Sequence, residues 1–209
     1  MKTCCAGRVL FLSALLSCPT PRGHAHDGPG HDHDHPTKAV ALAEAHRPTG
    51  IPDRIIRTFA SDPARSIAVT WRTDASVGKG IAQVAPADGG PKFAERAKTL
   101  TAKTIDHKSN LGEAHYHAVV FEDLVPEMLY AYRVGDGVNW SEWVHARTAS
   151  DKAVPFSFIY FGDAQNDIKS LWSRVIRGAY SDAPKASFII HAGDLVNRAN
   201  QDEEWGEWF

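Results

Sequence analysis

Cysteine is all but missing. Cys4, Cys5 and Cys18 lie within the first eighteen residues and none follows. The rest of the chain therefore has no disulfide and no thiolate metal site. A long hydrophobic run is missing too. The apolar stretch Val9 to Leu16 is too short to span a bilayer as a mature helix. Charge of one sign is also lacking: 23 Lys and Arg stand against 25 Asp and Glu, for a formal net charge of -2. Bulk electrostatics thus give no reason to expect nucleic acid as a partner. What is present is ordinary globular composition, 43% hydrophobic and 23% charged over 209 residues, enough for one or two domains.

Lys2 and Arg8 flank the short apolar stretch, and small residues follow. That order is the secretory signal pattern, assigned to residues 1–23. Two exits are open. Leu15-Leu16-Ser17-Cys18 resembles a bacterial lipobox, with a lipid anchor on Cys18; otherwise a peptidase cuts later, after Ala25. Either way the mature protein is expected to be exported, whether periplasmic, secreted or lipid-anchored at the cell envelope. In the next segment, residues 24–50, His24, His26, His31, His33 and His35 interleave with Asp27, Asp32 and Asp34 among Gly and Pro. This reads as a flexible linker. Its neutral imidazoles also make it a weak metal-binding tract, with no spacing that fixes a closed site.

Residues 51–150 read as short strands. Arg54 to Phe59 is one candidate. Ser66 to Arg72 alternates Ile67, Val69 and Trp71 against Ser66, Ala68, Thr70 and Arg72, a half-buried strand with one apolar face. Ile81 to Ala85 follows, and then Asp88-Gly89-Gly90-Pro91 signals a turn. Lys98 to Ile105 is polar and Thr-rich, an expected edge strand. Tyr116 to Phe121, Leu129 to Val134 and Trp143 to Thr148 complete the set. Such a series suggests an immunoglobulin-like sandwich. Leu124-Val125-Pro126 followed by Tyr130 to Val134 looks like a fibronectin type III signature. Tyr130 is then a tyrosine corner and Trp71 a core residue. His115 and His117 share one strand face, expected to be solvated. Ser150 to Pro155 is the expected join to residues 151–209.

Phe156 to Asn197 contains two apolar runs, FSFIYFGD and ASFIIHAGD, each ending in Gly-Asp. Runs of this kind suit strands buried on both faces of a parallel sheet. Between them Ile168, Leu171, Trp172, Val175 and Ile176 fall at helical spacing, with Asp167 as N-cap. A β-α-β unit results, with a right-handed crossover. Asp163 and Asp194 then sit at carboxyl ends of neighbouring strands, where open α/β sheets place ligands. Gly162 and Gly193 are expected to allow the sharp turns. Two carboxylates there repel unless a cation lies between them or one is protonated. The plainer alternative is that each Gly-Asp starts a turn and caps the next helix.

An exported chain with this sandwich, containing Ser66-Ile-Ala-Val-Thr-Trp-Arg-Thr73, then Phe161-Gly-Asp-Ala-Gln165 and His191-Ala-Gly-Asp-Leu-Val196, resembles the purple acid phosphatases. The resemblance covers Pro52 to Phe209. It implies a mixed fold: an all-β fibronectin type III-like sandwich followed by the truncated start (βαβ) of a calcineurin-like α/β metallophosphoesterase domain. It implies a hydrolase of phosphomonoesters or related small phosphate esters. Two metal ions, iron with zinc, manganese or a second iron, would be its cofactors. Asp163 matches the ligand of the first metal and Asp194 the residue that bridges both. Gly193 to Arg198 is also similar to the Gly-Asp-x-Val-Asp-Arg motif of related Ser/Thr phosphatases, in which the arginine meets substrate phosphate, a role this assigns to Arg198. Gln165, Asn166 and Asn197 are candidates for orienting ligands or water around the metals, with turn closure the alternative for Gln165 and Asn166; His191 reads first as a packed strand residue, with an orienting role toward the site as the alternative.

The chain departs from the family at Asn197, where the purple enzymes place a tyrosine, so no phenolate-to-iron colour is expected. The family's Gly-Asn-His and His-x-His segments are not found, and the chain resembles the amino-terminal portion of such an enzyme. Its sheet is then expected to leave an open edge and an uncovered apolar face. The alternative is a non-catalytic exported module that binds metal or a surface polymer through its His-rich arm.

Overall fold

The computed structural model describes residues 39–209. The expected signal segment, Cys18 and the histidines at 24, 26, 31, 33 and 35 lie outside the described residues. A short helix, α1 (Leu42–Ala45), precedes eight strands: β1 (Asp53–Thr58), β2 (Ile67–Asp74), β3 (Ile81–Pro86), β4 (Lys98–Thr101), β5 (Lys103–Ser109), β6 (Gly112–Phe121), β7 (Leu129–Gly135) and β8 (Val144–Arg147). They form two four-stranded sheets, ordered β1-β2-β6-β5 and β4-β3-β7-β8, with every pairing antiparallel. This is the fibronectin type III-like sandwich.

Alternation builds the core. Ile67, Val69 and Trp71 of β2, with Phe121 of β6 beside them in the same sheet, face Val84 of β3 and Tyr132 and Val134 of β7 in one buried cluster. Tyr130 forms the corner: its hydroxyl accepts a hydrogen bond from the Val125 N–H at 2.8 Å.

Three expectations for the sandwich are corrected. Lys98 to Ile105 is not one edge strand but two strands on opposite sheets. The chain changes sheet at Ala102, whose N–H donates to the Gly80 carbonyl at 2.9 Å. Arg72 does not lie on an exposed face; it is 1% exposed, because a helix at the end of the described chain covers it. His115 and His117 are not solvated either. The register of β6 on β2 turns them inward with Val119 and Phe121, and His117 is 0% exposed.

Local hydrogen bonding explains how a histidine is tolerated there. The Thr73 hydroxyl donates to the Asp74 carbonyl at 3.1 Å, so His117 Nε2–H donates to Thr73 Oγ1 at 2.8 Å. Nδ1 then accepts from the Thr104 hydroxyl at 2.9 Å. This is a neutral imidazole with both nitrogens used. Burial, with His115 beside it, pushes the His117 pKa down to about 4. Its ring stacks on Trp71, centroids 5.1 Å apart. Gly80 makes room, since a β-carbon there would lie 2.6 Å from His117 Nδ1 and 2.8 Å from Trp71 Cζ2.

After an exposed connection come β9 (Ile159–Phe161), α2 (Ser173–Asp182), β10 (Ile189–His191) and α3 (Asp202–Trp208). β9 and β10 pair in parallel, Ile159 to Ile189 through Phe161 to His191. The β-α-β unit is therefore present. Its helix differs from expectation at the start. Asp167 sits in the left-handed region at φ 50° and makes no cap bond; a π-helical turn over Ile168–Trp172 leads into α2. Ile168 and Trp172 are buried with Ala164, but Leu171 and Val175 are half exposed. The strands are not buried on both faces, since Tyr160, Ile189 and Ile190 are exposed. The uncovered apolar face is thus observed.

Candidate metal centre at the strand ends

Two Gly-Asp corners end the parallel strands. The backbone reaches them in a way the sequence pattern did not anticipate: the aspartates themselves, not only a glycine, take left-handed conformations. Asp163 has φ 58° and Asp194 φ 52°, with Gly193 at 110° and Gly162 in the ordinary region. Aspartate tolerates this region better than most residues, and local strain there fits a site held by its surroundings. Because β9 and β10 are in register, the two corners are neighbours. The Asp163 N–H donates to the Gly193 carbonyl at 3.4 Å. Both aspartates are exposed to solvent.

The surrounding amides link the corners. Gln165 Nε2 donates to Asp163 Oδ1 at 3.3 Å. Asn197 Nδ2 donates to the Gln165 carbonyl at 2.8 Å and to Asn166 Oδ1 at 3.1 Å. Asn197 therefore ties the loop after β10 to the loop after β9. Arg198 stands at the far side of that loop, 69% exposed at its side chain. Its N–H and Nε donate to Glu204 of α3 at 2.8 and 2.6 Å. Burial pushes the Glu204 carboxyl up, but these bonds from Arg198 outweigh it and the net direction is down. Among the described residues the two Nη groups of Arg198 bond nothing, so they are available to an anion.

His191 does not join this group. It packs between Phe161, Trp172 and Trp208, with ring centroids 6.3, 5.4 and 6.1 Å away. Both ring nitrogens are buried without a hydrogen-bond partner among the described residues.

As a donor set, the corners offer two carboxylates with side-chain amides around them. Hard oxygen donors of this kind suit hard cations. Among the described residues no group of three or more His, Cys, Asp or Glu side chains could hold a metal ion. The two aspartates therefore fit a metal shell in part and do not close one.

Residues 52–148 match the family model described as the purple acid phosphatase N-terminal domain. The chain carries a purple acid phosphatase-like N-terminal portion. The matched segment is the sandwich, and the two aspartate corners lie beyond it. Similar solved structures include PhoD, 18% identical over 72% of this chain and 28% of that one, TM-score 0.45. The FN1–FN3 domains of chicken CNTN1 are 17% identical over 49% and 33%, TM-score 0.35. The fn3 domain of the human collagen alpha-1(XX) chain is 19% identical over 54% and 94%, TM-score 0.33. The chain thus spans under a third of PhoD and about a third of the CNTN1 structure. No curated protein matches it.

Sequence reasoning missed one group altogether. Arg54, Arg72 and Asp202 converge between the sandwich and α3. They are 148 and 130 positions apart in the two pairings, so no local spacing announces them.

Proposed function

We propose that this chain is the amino-terminal part of an exported phosphoester hydrolase of the acid phosphatase type, with its chemistry at the Asp163–Asp194 edge. The observation that carries the reading is the pair of adjacent left-handed aspartates at the ends of parallel strands, behind a sandwich of the purple acid phosphatase type. Asp163 and Asp194 would supply carboxylate ligands to the metal cofactor. Bound there, the cations would neutralise phosphoryl charge and supply a hydroxide nucleophile near neutral pH. Gln165 holds the Asp163 carboxylate in one orientation, and Asn197 keeps the two corners together. The free Nη groups of Arg198 would take a phosphate oxygen by a charge-assisted contact. The exposed apolar side chains of β9 and β10 support a larger α/β sheet whose faces are covered by further helices, with the remaining ligands supplied by its other elements. The substrate is a phosphomonoester or related small phosphate ester.

The test is hydrolysis of a phosphomonoester by the exported full-length polypeptide, with and without chelator. Chelation and Asp194→Asn should each remove most turnover. An unchanged rate in either case rejects the metal site. A second reading, a non-catalytic module whose His-rich arm binds metal or a surface polymer, is favoured by the missing third ligand among the described residues. Zinc titration separates the two. Binding lost only on replacing His24, His26, His31, His33 and His35 by alanine supports the arm. Binding lost in Asp163→Asn with Asp194→Asn supports the strand-end site.

A further inference from the structure

Asp202 opens α3, directly after the segment that carries Asp194 and Arg198, and it is 7% exposed. Its carboxylate accepts from Arg54 Nη1 at 2.5 Å, Arg72 Nη1 at 2.8 Å and Ser109 Oγ at 3.2 Å. Arg54 Nη2 donates to the Asp202 carbonyl at 2.9 Å, and the Asp202 N–H donates to Asn110 Oδ1 at 2.7 Å. Three parts of the sandwich close on one residue: the start of β1, the last residues of β2 before Asp74, and the β5–β6 hairpin.

A contact that merely packed two segments together would not need this chemistry. Arginine and aspartate are costly to bury unless their charges are matched and their hydrogen bonds satisfied. Here the charges are matched and the Nη groups are bonded, while Arg54 Nε is buried without a partner among the described residues. Arg72 also grips both oxygens of Asp53, at 2.9 and 2.6 Å, so two arginines face two aspartates. Burial alone would lower the Arg72 pKa; Asp53 and Asp202 more than offset it and the direction is up. Arg54 reaches its partner from a β-bulge. The register of β1 on β2 gains one residue between Asp53 and Ile56, and Arg54 takes φ 48°. Bulges re-aim side chains in this way. On its other side α3 meets the chain before β1 at Gly206, where a β-carbon would overlap the His46 ring.

α3 passes this anchorage on. Glu204 holds Arg198 by its N–H and Nε at 2.8 and 2.6 Å, and Trp205 Nε1 donates to the Ala199 carbonyl at 3.0 Å. We propose that Arg54 and Arg72 are positioning residues for the loop 194–201, acting through Asp202, α3 and Glu204 to set where Arg198 meets phosphate. This rests on the roles proposed above for Asp194 and Arg198. The sandwich is then part of the substrate-binding apparatus without touching substrate.

The test uses the full chain and two readouts: hydrogen exchange of the amides of residues 195–201, and titration with inorganic phosphate. Asp202→Asn should speed loop exchange about ten- to hundredfold, the loss expected of charge-assisted bonds. Asn110→Ala, at an exposed hairpin tip where folding is not at risk, should speed it by a smaller factor. Asp202→Glu, which keeps the charge, should return most of the protection. Amides of β2 and β6 should keep their rates, and phosphate binding should weaken in the same order. Unchanged loop exchange in both Asp202→Asn and Asn110→Ala overturns the proposal. So does a uniform rise through loop and sandwich, which would make the quartet a general stabiliser. Loop exchange that responds as expected, in a chain that binds no phosphate, upholds the anchorage and removes Arg198 from the proposed function.

Discussion

The sandwich and the β-α-β segment use similar residues and end in different states. In the sandwich, Ile67, Val69, Trp71, Phe121 and Val134 are sealed between two sheets. In the β-α-β segment only Ala164, Ile168 and Trp172 are buried, while Tyr160, Val175 and Ile189 stay half exposed or more and Ile190 is 42% exposed. The difference is the number of layers. A strand pair with one helix has a single covered face, whereas facing sheets bury both inner surfaces at once. Stability therefore resides in the sandwich, and the candidate site sits on the less protected part, held to it by the quartet of Arg54, Arg72, Asp53 and Asp202.

The comparison breaks most visibly at Trp71. Trp71→Ala should destabilise the sandwich by about 3–5 kcal/mol, read from the urea midpoint. A loss comparable to that of an exposed residue would mean the two sheets do not share one core.

Acid should act next, and on the sandwich first. His117 binds a proton near 6.5 when unfolded and near 4 when folded, so the unfolded chain holds more protons between these values. Its contribution is complete above pH 6.5 and is lost as pH falls from there toward 4, on the order of 3 kcal/mol in all. Urea midpoints measured across this window should fall with pH, and His117→Gln should flatten the slope. An unaltered slope would locate the acid sensitivity elsewhere.

The smallest effect belongs to the helix. Leu171→Ala removes an apolar side chain that is 51% exposed and should change stability by about 0.5 kcal/mol or less. A loss several times larger would show that something covers this face in solution.

Much of this was legible from residues alone. Period-two alternation located β2, β6 and β7, because one face of each is buried against a second sheet. The Gly-Asp ends of two apolar runs located the corners. What escaped was polar burial. Nothing local distinguishes His117 from a solvated histidine, since its burial depends on Thr73 and Thr104 from other strands. Arg72 read as the polar side of a strand because the helix that covers it lies 130 positions away. Asp167 had the residue type of a cap, yet the chain there turns left-handed before the helix begins. Periodicity reports which face is apolar; it does not report which polar groups find partners across the fold.

The change of sheet at Ala102 has a consequence for how molecules meet. β4 is an outer strand of one sheet and β5 of the other, so one continuous run supplies an edge to both. That run carries Lys98, Lys103, Asp106 and Lys108, all exposed. Charged edges resist pairing with a strand from another chain. A single polar ribbon thus guards one edge of each layer against edge-to-edge self-association, and lysine-to-valine changes along it would trade solubility for fibre-like contacts before they disturbed the fold.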